Sequence, residues 1–352
     1  MKTSIGIGIL SFAHGHVEAY AHVLKGFDDV RLVAAYDDDQ ARGERVCADC
    51  GMAYSPHVED VLNNRDVQAV IVGSETNRHA ELCVAAAGAG KHILCQKPMA
   101  LTLAGCDRMI DEAARAGVTL AMAFQMRHDP ANVKIRELVQ SGALGRIAVA
   151  RRRHCIGVLL MDDFVNGPTR WHLDPEKNMG MFMDDATHAA DWFHWIFGKP
   201  VSVIAEIDNV ITNVAPDDNG VALFRFANGE MGILFNSSTV LAGENTTEIY
   251  GDKGCLIQNY GDGPSCSVPR CPDGPALKLF RYGNTDWETF DIPVPADQGE
   301  RIRAVPRPWI DSLIQGTAPV ATGQDGRVAV EMMLAAYKAT RKSKKIRFPF
   351  DE

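Results

Sequence analysis

The chain has 352 residues, of which 46% are hydrophobic and 23% are charged, so it can bury a substantial core and form more than one domain. Its formal net charge of -9 disfavours a nucleic-acid partner, because a phosphate backbone attracts basic surfaces. No apolar run approaches the roughly 20 residues that a membrane-spanning helix needs, so we expect no membrane partner.

The first third of the chain alternates short aliphatic runs with amphipathic runs of helical period. We predict strands at residues 5–10, 31–36, 69–72, 92–94 and 119–123, and helices at residues 17–25, 39–50, 78–89 and 103–116. The apolar start resembles part of a secretory signal, but we interpret it as the first of these strands. The alternation indicates an α/β Rossmann-type, doubly wound parallel sheet in a first domain over residues 1–124.

The pattern changes after residue 124 to longer alternating strands and hairpin turns. We predict helices at residues 130–141, 308–315 and 326–342, strands at 147–154 and 201–210, and hairpin turns at 251–254 and 282–284. The pair Asn228-Gly229 is a strong hairpin signal between two further strands. We therefore predict a second α+β domain over residues 125–352, with a mostly antiparallel open sheet.

The nine cysteines are odd in number and scattered, which favours reduced thiols and a cytoplasmic location over a disulfide framework. Cys47 and Cys50 form one Cys-x-x-Cys, and Cys266 and Cys271 lie in a predicted loop. Neither pair has the spacing of a zinc module, so we predict no metal site.

A lysine follows the predicted strand at residues 92–94. Because the ligands of open α/β sheets collect at the carboxyl ends of the strands, Lys97 is expected to reach a bound ligand. Burial beside another positive charge, such as an oxidised nicotinamide ring, would lower the pKa of such a lysine and let it exchange protons with a hydroxyl. The alternative is a surface lysine that ends the strand.

The segment around this lysine carries a resemblance. Residues 71–98, which include His79, Glu81 and Lys97-Pro98, resemble the glucose-fructose oxidoreductase and inositol dehydrogenase (Gfo/Idh/MocA) family of NAD(P)-dependent oxidoreductases. That family has Glu-Lys-Pro at this point, whereas this chain has Gln96. The resemblance also includes Gln125-Met126-Arg127 and covers nearly the whole chain, and it implies that residues 1–124 bind a dinucleotide.

The turn after the first strand is unorthodox for a dinucleotide site. Ser11, Ala13 and His16 take the three usual glycine positions. The side chains at the first two positions are small and still let a pyrophosphate approach the backbone. Asp37 is the acidic residue expected to bind the adenosine ribose. Its acidic neighbours would repel a 2′-phosphate, which favours NAD over NADP, although Arg42 could reverse that preference. We expect the following cofactor-binding residues: Ser11, Phe12, Ala13, His14, Asp37, Ser74, Glu75, Thr76, His79, Gln96 and Lys97.

A second informative segment runs from Gly180 to Trp195. Helical spacing puts Asp184, His188 and Asp191 on one face, where they could bind a metal, perform acid/base chemistry or form a polar stripe. Aromatic neighbours disfavour the polar stripe. The segment resembles the family motif Gly-Gly-x-x-x-Asp-x-Gly-x-His-x-x-Asp, with Met179 and Ala186 in place of usual glycines. The resemblance implies that Asp184 and His188 bind and deprotonate a sugar or polyol hydroxyl.

These features predict an NAD-dependent dehydrogenase acting on a sugar, glycoside or cyclitol. We expect Lys97, His188 and Asp184 to be catalytic, and it stays open whether Lys97 or His188 is the formal base. We expect the small polyhydroxylated substrate to contact Arg127, His154, Arg170, Trp171, His172, Asp184 and His188. An exposed sheet face and the resemblance together predict a homo-oligomer, either a dimer or a tetramer.

Three other functions remain open at this stage. A glycosidase that retains NAD could work by transient oxidation and elimination. A cofactor-sensing protein without turnover would agree with the altered glycine turn and with Gln96. A metal hydrolase could be built on Asp184, His188 and Asp191.

Overall fold

The computed structural model describes residues 4–242, 246–261, 263, 268, 270 and 274–350. These residues belong to two compact units. The first unit contains Met1–Phe124, Glu176–Asn178 and Ile302–Arg327, and the second contains Gln125–Pro175, Met179–Arg301 and Val328–Glu352. Cys266 and Cys271 lie outside the described residues.

Strands and helices are numbered in chain order. The strands are β1 (Ile5–Leu10), β2 (Val30–Tyr36), β3 (Ala53–Ser55), β4 (Ala69–Val72), β5 (His92–Cys95), β6 (Leu120–Met122), β7 (Ile147–Cys155), β8 (Pro200–Asp208), β9 (Asn219–Phe226), β10 (Met231–Ser237), β11 (Thr247–Gly251), β12 (Gly254–Gln258), β13 (Leu277–Arg281), β14 (Glu288–Thr289) and β15 (Ile346–Arg347). The helices are α1 (Gly15–Leu24), α2 (Gln40–Cys50), α3 (Val58–Leu62), α4 (His79–Gly88), α5 (Leu103–Ala116), α6 (Pro130–Gln140), α7 (Asp162–Asn166), α8 (Pro175–Asn178), α9 (Met181–Phe197), α10 (Gln298–Arg303), α11 (Pro306–Gln315) and α12 (Gly323–Lys342).

The first unit contains a parallel sheet of six strands in the order β3-β2-β1-β4-β5-β6, which confirms the predicted Rossmann-type fold. Every residue of β4 is buried, as expected for a central parallel strand that is covered on both faces. The sequence did not predict β3 and α3, which have three and five residues. Elements this short carry too few residues to show a period.

The core of the first unit also includes residues from late in the chain. Trp309 and Ile310 of α11 are buried in the same cluster as Ile7, Ile9 and Ile71 of the sheet. Helix α11 lies against α1, and buried residues of α1, α11 and β1 belong to this one cluster. The chain therefore returns to the first unit after β14 and enters the second unit again before β15.

The second unit contains a sheet of nine strands in the order β14-β13-β12-β11-β7-β10-β9-β8-β15. All its pairs are antiparallel except β7 with β10, so the prediction of a mostly antiparallel sheet is confirmed. Strands β9 and β10 form the hairpin predicted at Asn228-Gly229. Helix α9 packs on one face of the sheet, where Phe193 lies 6.0 Å from Phe226 between ring centroids.

The other face of this sheet has exposed apolar side chains. Ile204 of β8, Val221 of β9 and Tyr250 of β11 are 43%, 45% and 40% exposed. Burial alternates along β9, because successive side chains of a strand point to opposite faces. Among the described helices, none combines the length and apolarity that a bilayer crossing requires.

Candidate dinucleotide and substrate sites

The turn after β1 adopts a glycine-like backbone without a glycine. Ser11 has a φ of 75°, in the left-handed region that disfavours residues with a Cβ atom. The Ser11 hydroxyl oxygen accepts a hydrogen bond from the Ala13 backbone N–H at 3.1 Å, which stabilises this conformation. The Ser11 backbone N–H donates to the carbonyl of Tyr36 at 2.7 Å. Serine therefore keeps the tight turn that the first family glycine normally provides.

Helix α1 begins next to the carboxyl end of β4. A Cβ atom on Gly73 would lie 2.2 Å from Cγ2 of Val17, so only glycine permits this close approach. His14 caps α1, because its Nδ1 accepts from the backbone N–H of His16 at 3.3 Å. The sequence pattern predicts a helix start at residue 17, two residues later than observed, and does not single out Gly73. The resulting tight turn at the amino end of a ten-residue helix fits a pyrophosphate.

Asp37 lies at the end of β2 and is fully buried. One carboxylate oxygen accepts from the backbone N–H of Phe12 at 2.7 Å, and the other accepts from that of Asp39 at 2.9 Å. Arg42 donates to the same two oxygens, from Nε at 3.0 Å and from Nη2 at 2.6 Å. The position of Asp37 fits ribose recognition, and the contact with Arg42 is a feature that the sequence did not show.

The loop after β4 is fixed by contacts within the first unit. The Thr76 hydroxyl donates to Oδ1 of Asn178 at 2.7 Å, and Glu75 forms an ion pair with Lys177 at 3.2 Å. Neither Asn178 nor Lys177 is predictable from the sequence, because each lies 102 residues from its partner in the loop and leaves no local signal.

His79 connects this loop to the one that carries Lys97. Its ring nitrogens lie 2.8 Å from the carbonyl oxygen of Pro98 and 3.1 Å from that of Ser74. Burial lowers the pKa of His79, so the neutral imidazole donates to one of the two carbonyls at a time. These contacts suit a residue that braces the two loops.

Lys97 lies two residues after the end of β5 and is 4% exposed. The preceding residue, Gln96, is fully buried, and its Nε2 donates to the hydroxyl of Tyr20 at 3.0 Å. Its Oε1 accepts from the Lys97 backbone N–H at 3.2 Å. The amide supplies one donor and one acceptor here, whereas an ionised glutamate supplies acceptors only. This explains how glutamine fits at the position of the family glutamate.

In the second unit, the amino end of α9 is held by a buried carboxylate. Asp217 accepts from the backbone N–H of Phe182 at 2.6 Å and from the hydroxyl of Tyr337 at 2.7 Å. A Cβ atom on Gly180 would lie 2.0 Å from Oδ2 of Asp217, so this glycine permits the contact. Desolvation by burial raises the pKa of Asp217. These contacts fix the first turn of the helix that carries Asp184 and His188.

Asp184 and His188 lie one turn apart on α9, and both are buried. The His188 ring lies 5.4 Å from that of His154 on β7, measured between centroids. Nε2 of His154 lies 3.3 Å from Oδ1 of Asp185, and Asn236 donates to Oδ2 of Asp185 at 2.8 Å. Two imidazoles and a carboxylate fixed by an amide therefore lie beside one another. Both histidines are predicted from the sequence, but Asp185 and Asn236 are not, because their pairing depends on the contact of α9 with the sheet.

Three other predicted substrate contacts, Arg127, Trp171 and His172, already have protein partners. Arg127 forms a bidentate ion pair with Asp191, with 2.6 Å between Nη2 and Oδ1, and both side chains are buried. The ring of Trp171 stacks on that of His172 with 3.7 Å between centroids, and Arg170 is exposed. The roles of these residues in substrate binding stay predictions.

The described residues contain no cluster of three histidine, cysteine or carboxylate side chains that could hold a metal ion.

Two family models match the chain. One, described as the oxidoreductase family with an NAD-binding Rossmann fold, matches residues 4–124, and the other, described as the GFO/IDH/MocA C-terminal domain, matches residues 132–257. The chain is 28% identical over 358 residues to the myo-inositol 2-dehydrogenase of Thermotoga maritima, with 97% of each chain covered. It is 27% identical over 273 residues to the levoglucosan dehydrogenase of Pseudarthrobacter phenanthrenivorans, with 67% of each covered.

Solved structures show the same fold. An oxidoreductase from Agrobacterium radiobacter in complex with NAD+, L-tartaric acid and magnesium has a TM-score of 0.84 at 18% identity, with 98% of each chain covered. A levoglucosan dehydrogenase in complex with NADH and L-sorbose has a TM-score of 0.83 at 21% identity, covering 98% of this chain and 99% of the other.

Proposed function

Because the chain belongs to the Gfo/Idh/MocA oxidoreductase family, we propose that it is an NAD-dependent dehydrogenase that oxidises a hydroxyl-bearing carbon of a sugar, glycoside or cyclitol. One observation carries the proposal: a Rossmann sheet with Asp37 and Lys97 after its strands is joined to a second unit that keeps Asp184 and His188 one turn apart. The names of the curated relatives, which are dehydrogenases of inositol and levoglucosan, support the substrate class.

The residues of the first unit fit a dinucleotide. The turn from Ser11 to His14 and the amino end of α1 would bind the pyrophosphate, and Asp37 would bind the adenosine ribose. The loop of Ser74, Glu75, Thr76 and His79 would line the pocket, together with Gln96 and Lys97. When bound, NAD supplies the hydride acceptor.

The acid/base work falls to three side chains in this proposal. His188 accepts the proton of the substrate hydroxyl, and the ammonium of Lys97 stabilises the developing alkoxide or relays the proton. Asp184 binds a neighbouring hydroxyl or orients His188. Asp185 and Asn236 hold the His154 imidazole beside His188, which gives the substrate a second imidazole to bind. We retain Arg127, Arg170, Trp171 and His172 as proposed substrate contacts.

Three further predictions belong to this proposal. Residues 1–124 would bind the dinucleotide, and residues 125–352 would bind substrate and form a dimer or tetramer through the apolar sheet face that includes Ile204 and Val221. A cytoplasmic location is supported by the scattered cysteines, six of which are buried among the described residues.

The test is turnover of a panel of sugars, glycosides and cyclitols with NAD+, followed by NADH absorbance. We expect net NADH formation with one substrate class, whereas a glycosidase that retains NAD would release a sugar without net NADH. Lys97→Ala and His188→Ala should each lower kcat by about 10²- to 10⁴-fold and leave NAD affinity within about twofold. His22→Ala, at a half-exposed histidine on α1, is the matched control. Normal turnover in either active-site variant would contradict the assignment.

A further inference from the structure

The carboxylate that should bind the ribose is already fully engaged. A carboxylate offers about four lone-pair directions, and Asp37 accepts four hydrogen bonds. Two come from the backbone amides of Phe12 and Asp39, and the other two come from the Arg42 guanidinium. A ribose hydroxyl that donates to Asp37 must therefore replace one of these donors.

The donors differ in how freely they can leave. The Phe12 amide is part of the turn after β1, and Asp39 caps α2 by accepting from the Arg42 backbone N–H at 3.0 Å, so both amides are fixed by the backbone. The Arg42 side chain is attached to the first turn of α2 and retains 18% exposure. The side chain can move by rotamer changes alone. Arg42 is therefore the donor that a ribose would displace.

A second guanidinium lies beside the first. Arg78, from the loop after β4, forms an ion pair with Asp38 at 2.7 Å and donates to the Tyr36 hydroxyl at 3.0 Å. Nη2 of Arg42 also lies 3.3 Å from Asp38. The two arginines thus balance the carboxylates that would otherwise repel a 2′-phosphate. Planar guanidinium groups are well suited to bind phosphate oxygens in pairs.

We propose that Arg42 determines the dinucleotide preference of this protein, because it competes with the ribose hydroxyls of NAD for Asp37 and offers a cation to the 2′-phosphate of NADP. Arg42 thereby weakens NAD binding and keeps a residual affinity for NADP. The inference rests on the proposed dinucleotide function but does not depend on the substrate. It predicts that removing Arg42 strengthens NAD binding, which is the opposite of what loss of a cofactor-binding residue would do.

The experiment measures the Kd values of NADH and NADPH by nicotinamide fluorescence on the full chain, without substrate. The variants are Arg42→Ala and Arg42→Lys, and Arg45→Ala is the matched control, because Arg45 lies on the same helix and pairs with Glu18 at 2.8 Å instead of Asp37. We expect Arg42→Ala to bind NADH several-fold more tightly and NADPH about tenfold more weakly. Arg42→Lys should fall between wild type and Arg42→Ala in the ratio of the two Kd values. Arg45→Ala should leave both Kd values within about twofold.

Weaker NADH binding by Arg42→Ala, or an unchanged ratio of the two Kd values, would overturn this inference and leave the dehydrogenase function intact. If Arg42→Ala does not fold, Arg42→Lys decides by comparison with wild type alone: it should bind NADH more tightly relative to NADPH than wild type does, and an unchanged ratio would overturn the inference. A wild-type chain that binds neither dinucleotide would overturn the proposed function as well.

Discussion

Met179 and Ala186 both replace family glycines, and the structure predicts that glycine is more stable than alanine at position 179 but less stable than alanine at position 186. Met179 has a φ of 70°, whereas Ala186 lies inside α9 and is fully buried. A residue with a Cβ atom in the left-handed region costs about 1–2 kcal/mol, and glycine loses about 0.5–1 kcal/mol of extra chain entropy on folding. Glycine at position 179 should therefore be favoured over alanine by about 0.5–1 kcal/mol.

The comparison is made between Met179→Gly and Met179→Ala, since both lack the methionine side chain and differ only in the Cβ atom. Ala186→Gly should lower the free energy of unfolding by about 1–2 kcal/mol, from the helix propensity of glycine and the loss of a buried methyl group. The measurement is guanidinium chloride unfolding followed by circular dichroism, with midpoints compared at equal slope. A Met179→Ala variant as stable as Met179→Gly would refute the strain argument.

Three further predictions concern other parts of the molecule. The Cβ atom of Gly180→Ala should clash with Asp217 and lower kcat at least about tenfold, while the affinity for NAD stays unchanged. Gly26→Ala is the control, because that position has room for a Cβ atom. Tyr20→Phe removes the acceptor of the buried Gln96 amide and should lower the free energy of unfolding by about 1–3 kcal/mol. The same substitution in a Gln96→Leu background should lower it clearly less. Equal losses in the two backgrounds would contradict the hydrogen bond. Burial, reinforced by the charge of Arg127, lowers the pKa of His128 from 6.5 to about 4. As the pH drops from about 6.5 to 4, the unfolded chain therefore takes up a proton on this histidine that the folded chain does not. The free energy of unfolding should fall by up to about 3 kcal/mol over that range. His128→Gln should flatten that part of the stability profile in acid titrations monitored by denaturant unfolding, and an unchanged slope would contradict the cause.

Local sequence patterns predicted most of the fold. Helix α5 has the predicted limits, residues 103–116, and β1 runs over the predicted residues 5–10. Helix α1 begins two residues before its predicted start, because the cap at His14 depends on a turn whose glycine-like residue is Ser11. The sequence pattern missed β3 and α3, because short segments have no measurable period.

The sequence by itself determined which chemical groups are available and where along each element they lie. The position of Lys97 after β5 and the spacing of Asp184 and His188 by one helical turn follow from backbone periods that act over a few residues. Only the tertiary structure decided which groups meet. Arg127 pairs with Asp191 across 64 residues, and Asp185 meets Asn236 across 51 residues. Even the contact of Arg42 with Asp37, five residues apart, depends on how β2 leads into α2. These pairings depend on packing and on the satisfaction of buried charges, which no local period encodes.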